Sequence, residues 1–187
     1  AAVARLAAWY RLPGVEAAVR FPILRTLAVD GSPQALAAFA DLLAEAPPPD
    51  EHQAVLTLVP LFQPRGDRLP GASALFPRLL DAVAHPPVAA AVLDAANFLT
   101  RRGFVDEHPA KARVGELAAL IGDLAQRLIA IEERPQEFAA TPAELSKTVN
   151  DAVTLCVSLC DALALAGDTS VVGKLHQALV PAHRRVQ

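Results

Sequence analysis

The chain has 187 residues, 53% of them apolar, and a formal charge of −3 from 17 basic and 20 acidic groups. So high an apolar share excludes a disordered chain. Charge spread evenly, with no basic block, and only 5% aromatics exclude the footprint of a nucleic-acid binder.

Glycine and proline divide the chain into helices, and no run shows the period of two that a strand requires. A short helix is expected over 2–11, ended by Pro13-Gly14, and a second over 15–29, stopped at Asp30-Gly31. Ser32 as N-cap with Pro33 at the first helical position opens a third, with Leu36, Phe39, Leu42 and Leu43 on one face and Pro47-Pro48-Pro49 at its end. Asp50 caps a helix running to about Phe62, for which the apolar spacing predicts Val55, Leu58, Val59 and Phe62 inward. A helix at 72–84 bears Leu75, Phe76, Leu79 and Val83; after the His85-Pro86-Pro87 break, one at 87–102 bears Val88, Val92, Ala95 and Leu99. Two longer helices are expected at 110–133 and 142–166, the second opened by the capping-box sequence Thr141-Pro142-Ala143-Glu144. Asp168 caps a last helix to about Leu179.

No stretch approaches the roughly 18 to 20 uncharged apolar residues of a bilayer crossing. The richest, 145–166, carries Lys147, Asp151 and Asp161 and is expected to be a core helix. The chain has no methionine and begins Ala1-Ala2-Val3 inside an expected helix, which reads as a fragment of a longer protein. Signal and lipidation motifs are not evident. Cys156 and Cys160, one helical turn apart, read as reduced thiols on the apolar stripe, which favours the cytoplasm.

Three stretches echo one another without a gap. Gly31-Ser32-Pro33-Gln34-Ala35-Leu36 is matched by Gly71-Ala72-Ser73-Ala74-Leu75-Phe76 and by Gly167-Asp168-Thr169-Ser170-Val171-Val172. Each reads as a glycine stop, a short polar start and then apolar residues at helical spacing, the mark of a stacked repeat. The run Gly167-Asp168-Thr169-Ser170-Val171-Val172-Gly173-Lys174-Leu175-His176-Gln177-Ala178-Leu179 resembles the first helix of a bacterial HEAT repeat, and Ala182-His183-Arg184-Arg185-Val186 the opening of its second.

The resemblance implies an all-α, right-handed α-α superhelix (a HEAT/armadillo-like solenoid) of about nine helices in antiparallel pairs. Its approximate repeats are 1–29, 32–63, 72–102, 110–166 and a truncated 168–187. Armadillo or tetratricopeptide stacking is the alternative, although the tetratricopeptide aromatic pattern is absent. The Asp and Arg usual at the break within a HEAT repeat are missing at Pro47-Pro48-Pro49 and His85-Pro86-Pro87.

In such proteins the second helices line the concave face. Projection of the stripes puts Gln53, Thr57, Asp94, Asn97, Arg101, Asn150, Asp151 and Thr154 on their outward sides, a polar ridge suited to a protein or peptide. The expected role is a non-catalytic interaction scaffold or a structural segment of a larger bacterial protein. Further repeats of the parent chain would join one or both ends, with no nucleic acid and no membrane. The alternative is an enzyme or subunit on the same fold, as in HEAT-like bilin lyases and alkyl-base DNA glycosylases.

Chemical sites are weak in comparison. Cys156 and Cys160 with His176 and His183 have the residue types of a zinc site but lack the tight Cys-x-x-Cys knuckle. Glu51-His52 and Glu107-His108 reverse the His-Glu order of HEAT-repeat metal hydroxylases and sit in breaks. No nucleophile motif or phosphate loop is present, so no catalytic residue, cofactor or metal is expected.

Overall fold

The computed structural model describes residues 1–64, 69–167, 169 and 172–173; among them every regular element is helical and there is no strand. The chain divides into two compact units, Ala1–Pro109 and Ala110–Gln187.

The first unit contains α1 (Ala2–Tyr10), α2 (Ala17–Asp30), α3 (Pro33–Glu45), α4 (Glu51–Phe62), two 3-10 turns (Ala72–Leu75 and Arg78–Ala84) and α5 (Pro86–Arg101). Helix α2 packs on α4 and α4 on α5, while α3 packs on α1 and on both 3-10 turns. Successive elements therefore alternate between two layers, α1–α3–turns and α2–α4–α5. The layers meet through α1 on α2, α2 on α3, and α5 on the second turn. Leu24 and Leu27 of α2, Leu36, Phe39 and Leu43 of α3, Leu58 and Leu61 of α4, and Val92 and Leu93 of α5 fill the space between. Each such side chain contributes roughly 1.5–3 kcal/mol relative to exposure.

The punctuation works as the sequence predicts at most ends. Gly31 closes α2 in the left-handed conformation at φ 68°, which costs glycine no Cβ clash. The Ser32 hydroxyl accepts from the Ala35 N–H at 3.3 Å and the Asp50 carboxylate from the Gln53 N–H at 2.8 Å, each satisfying a helix-start donor. The Tyr10 hydroxyl donates to the Ala46 carbonyl, and Arg11 grips Glu45 through two 2.7 Å contacts. Together they tie the end of α1 to the end of α3.

Two sequence expectations change here. The helix expected at 72–84 is a pair of 3-10 turns. Pro77 has no N–H to donate to the Ser73 carbonyl and holds Phe76 extended at φ −109°, ψ 148°, so an α-helix cannot run through. Helix α4 is rotated from the expected register: Ala54, Thr57, Leu58 and Leu61 are buried, while Val55 and Val59 are 38% and 37% exposed.

A 3-10 turn (Pro109–Arg113) leads into the second unit, which holds α6 (Val114–Glu133), a short turn (Pro135–Glu137) and α7 (Pro142–Ala166), with α6 packed on α7. The capping box forms in full: the Glu144 N–H donates to the Thr141 hydroxyl, and the Thr141 N–H donates to the Glu144 carboxylate at 2.7 Å. By length and composition α7 is apolar enough to cross a membrane, with 39% of its most apolar 18-residue window buried. It is therefore a half-buried hairpin helix, where the sequence predicts a core helix. The expected helix at 168–179 and the truncated repeat at 168–187 lie outside the described residues, save for 169 and 172–173.

Candidate functional site

Of the eight residues expected to form a polar ridge, five are exposed, one is half-buried and two are buried. Asp94 and Arg101 on α5 are exposed, as are Asn150, Asp151 and Thr154 on α7. Two expectations are corrected: Thr57 and Asn97 are buried, at 0% and 2% exposure. Thr57 tolerates burial because its hydroxyl donates to the Ala54 carbonyl at 2.6 Å, leaving the methyl to pack. Asn97 is covered by the chain that follows α5, where the buried His108 ring sets Nε2 2.9 Å from its Oδ1. Gln53 is half-buried, with its Oε1 shielded from solvent and without a hydrogen-bond partner among the described residues. On α7, Asp151 pairs with Lys147 at 2.7 Å and the Thr154 hydroxyl donates to the Asn150 carbonyl at 2.9 Å. These five exposed positions belong to two units, two in the first and three in the second.

A different feature stands out in the first unit. Where the last turn of α2, the start of α3 and the last turns of α4 converge, they enclose a cleft of about 550 Å³, within the range of roughly 300–1,000 Å³ usual for ligand sites. Val29 from α2, Leu56 and Val59 from α4, and Leu69 form its apolar walls, extended by the rings of Pro33, Pro60, Pro64 and Pro70. The exposure of Val29 and Val59 follows directly: they face this cleft, and among the described residues no helix covers them.

Polar groups stand at the rim. Asp30 accepts from the Ser32 N–H at 3.1 Å, and hydrogen bonds from the Ser32 hydroxyl and N–H hold its carboxyl below the usual carboxylate range, so it is an anion at neutral pH. Arg25 lies on the same wall, its guanidinium carbon 6.0 Å from the Phe21 ring centroid. Gln63 adds an amide. Pro60 has no N–H, so the Leu56 carbonyl has no donor at the fourth residue along and keeps an acceptor free of the regular helix pattern. Among the described residues the lining thus offers apolar area, one carboxylate, one guanidinium and hydrogen-bonding backbone. Its described residues include no histidine or cysteine.

Sequence projection misses this cleft because it assigns every valine of α4 to the core. The signal was available: Ala54, Val55, Leu56, Leu58, Val59, Leu61 and Phe62 are more apolar positions than one helical face can bury, so some must face outward. The proline density around 60–70 marks the same place.

Among the described residues no three His, Cys, Asp or Glu side chains gather as metal ligands. Comparison of the chain with protein-family models, with curated proteins and with solved structures gives no match.

Proposed function

We propose that the first unit is a HEAT-like stack that serves as a protein-interaction scaffold and takes an extended, apolar segment of a partner polypeptide in the cleft between α2 and α4. The observation carrying this reading is the pair Val29 and Val59, both exposed in the lining of one cleft. Apolar groups left open on a concave surface are the usual mark of a binding site. The alternation of elements between two layers supports the stack, since repeat units bury their faces against their neighbours. The wall groups suit a peptide: apolar side chains enter between the valines, and backbone amides meet the Leu56 carbonyl and the Gln63 amide. Asp94 and Arg101 extend the polar surface on α5, the third helix of the same layer. The second unit contributes Asn150, Asp151 and Thr154 as a separate polar face.

The test is selection of random linear peptides on the full chain beside its Val59→Glu variant. Enrichment of an apolar consensus on the native chain, lost on the variant, supports the reading. Absence of any consensus, or one that binds both proteins alike, overturns it.

A further inference from the structure

The chain has two cysteines, and the fold places both on α7 at positions four apart, each half-buried and free. Side chains at that spacing share one helix face, with Cβ atoms about 5–6 Å apart. A disulfide needs Cβ atoms at about 3.5–4.5 Å, so α7 holds its thiols too far apart to oxidise onto each other without distortion. One ion bonded to both sulfurs, with bonds near the roughly 2.3 Å of a metal thiolate, spans the gap. Burial raises both thiols, and charge on Cys160 adds to the rise at Cys156; a cation between them removes that repulsion.

We propose that Cys156 and Cys160 form a two-thiolate site for a copper(I) ion on the flank of α7. Thiolates select copper(I), zinc and iron–sulfur clusters among biological metals. A cluster of the common kind needs four cysteines, twice what the chain has. A structural zinc site needs four ligands, twice what the pair supplies. Copper(I) is satisfied by two thiolates, and both cysteines are half-buried on α7. Binding breaks two S–H bonds, forms two Cu–S bonds and releases two protons to solvent, with no change of oxidation state. This site lies in the second unit and is independent of the cleft.

The experiment is anaerobic titration of the full chain with copper(I) against a chromophoric copper(I) chelator, beside the Cys156→Ser and Cys160→Ser variants, with helicity and oligomeric state followed in parallel. The expected result is one ion per monomer, and an affinity lowered by about a hundredfold in either variant, because losing one sulfur loses the chelate. X-ray absorption should show two sulfur neighbours. Variants within a few-fold of the native affinity mean that each thiol binds alone, and overturn the proposal. One ion per two chains with dimer formation, or zinc bound as tightly as copper(I), also overturns it.

Discussion

Gly71 stands against the backbone at Gly31, so close that a Cβ at residue 71 would lie 2.6 Å from the Gly31 carbonyl oxygen. It would also come within 2.8 Å of the Pro33 nitrogen and 2.9 Å of the Ser32 carbonyl carbon. The two glycines open two of the three echoing stretches, and the fold brings those openings into contact. All three obstructing atoms are backbone, which cannot rotate aside as a side chain can. Gly71→Ala is therefore expected to cost about 1–3 kcal/mol. Gly122→Ala, on α6 with nothing within 4 Å of the new methyl, should instead gain about 0.5–1 kcal/mol from helix propensity. Urea denaturation of the two variants checks both signs.

The register of α4 separates Leu58, fully buried, from Val59, exposed in the cleft. Leu58→Ala should cost about 2–5 kcal/mol. Val59→Ala leaves no cavity and should cost less than about 1 kcal/mol. Equal losses would place the helix in the register expected from the sequence.

Asn97 is a structural residue in this fold. Asn97→Ala removes the Oδ1 that meets the buried His108 ring and should lower stability by about 1–3 kcal/mol. The measurement is chemical denaturation, with peptide binding at the cleft compared at a temperature where both proteins are folded. Unchanged stability with lost binding would return Asn97 to the interaction surface.

The contact of Arg11 with Glu45 gives a pH dependence of known sign. Hydrogen bonding to Arg11 holds the Glu45 carboxyl below its ordinary 4.5. Its contribution is thus present above the unfolded value and lost as pH falls through the lower, folded one. Both side chains are over a third exposed, so solvent screening limits the pair to about 0.2–1 kcal/mol. Glu45→Gln should be less stable than the native chain at pH 7, and the two should converge as the pH falls past the folded value. Thermal melts across pH 2–7 measure this.

Burial, with the neighbouring Cys160 adding to it, pushes the Cys156 thiol up to about 11. Its alkylation rate by iodoacetamide in Cys160→Ser, where only the Cys160 part of the shift is removed, should still be climbing at pH 9 and above, where an ordinary thiol levels off. Stability should fall as pH rises from about 9 towards 11, because the unfolded chain ionises first. A rate that levels off near pH 8.5 would show an open, solvated thiol.

Local sequence was enough for the all-helical class, because glycine stops, Ser32, Asp50 and Thr141 caps and apolar spacing are signals that act within a few residues. It also determined the core of α3, whose four large apolar residues define a single face. It did not determine the face of α4, where apolar residues surround most of the helix and no local term chooses among rotations. Packing against α2 and α5 made that choice, burying Thr57 with its own carbonyl partner and leaving Val55 and Val59 outside. Nor did it reveal that Pro77 divides 72–84 into two 3-10 turns, since Pro22 and Pro60 sit inside α-helices in the same chain. Asn97 read as a surface group because its cover, His108, lies eleven residues on, beyond the reach of helical periodicity. The cleft is likewise a product of tertiary structure: its walls come from segments thirty residues apart, and only the packing of α2 on α4 brings Val29 and Val59 into one lining.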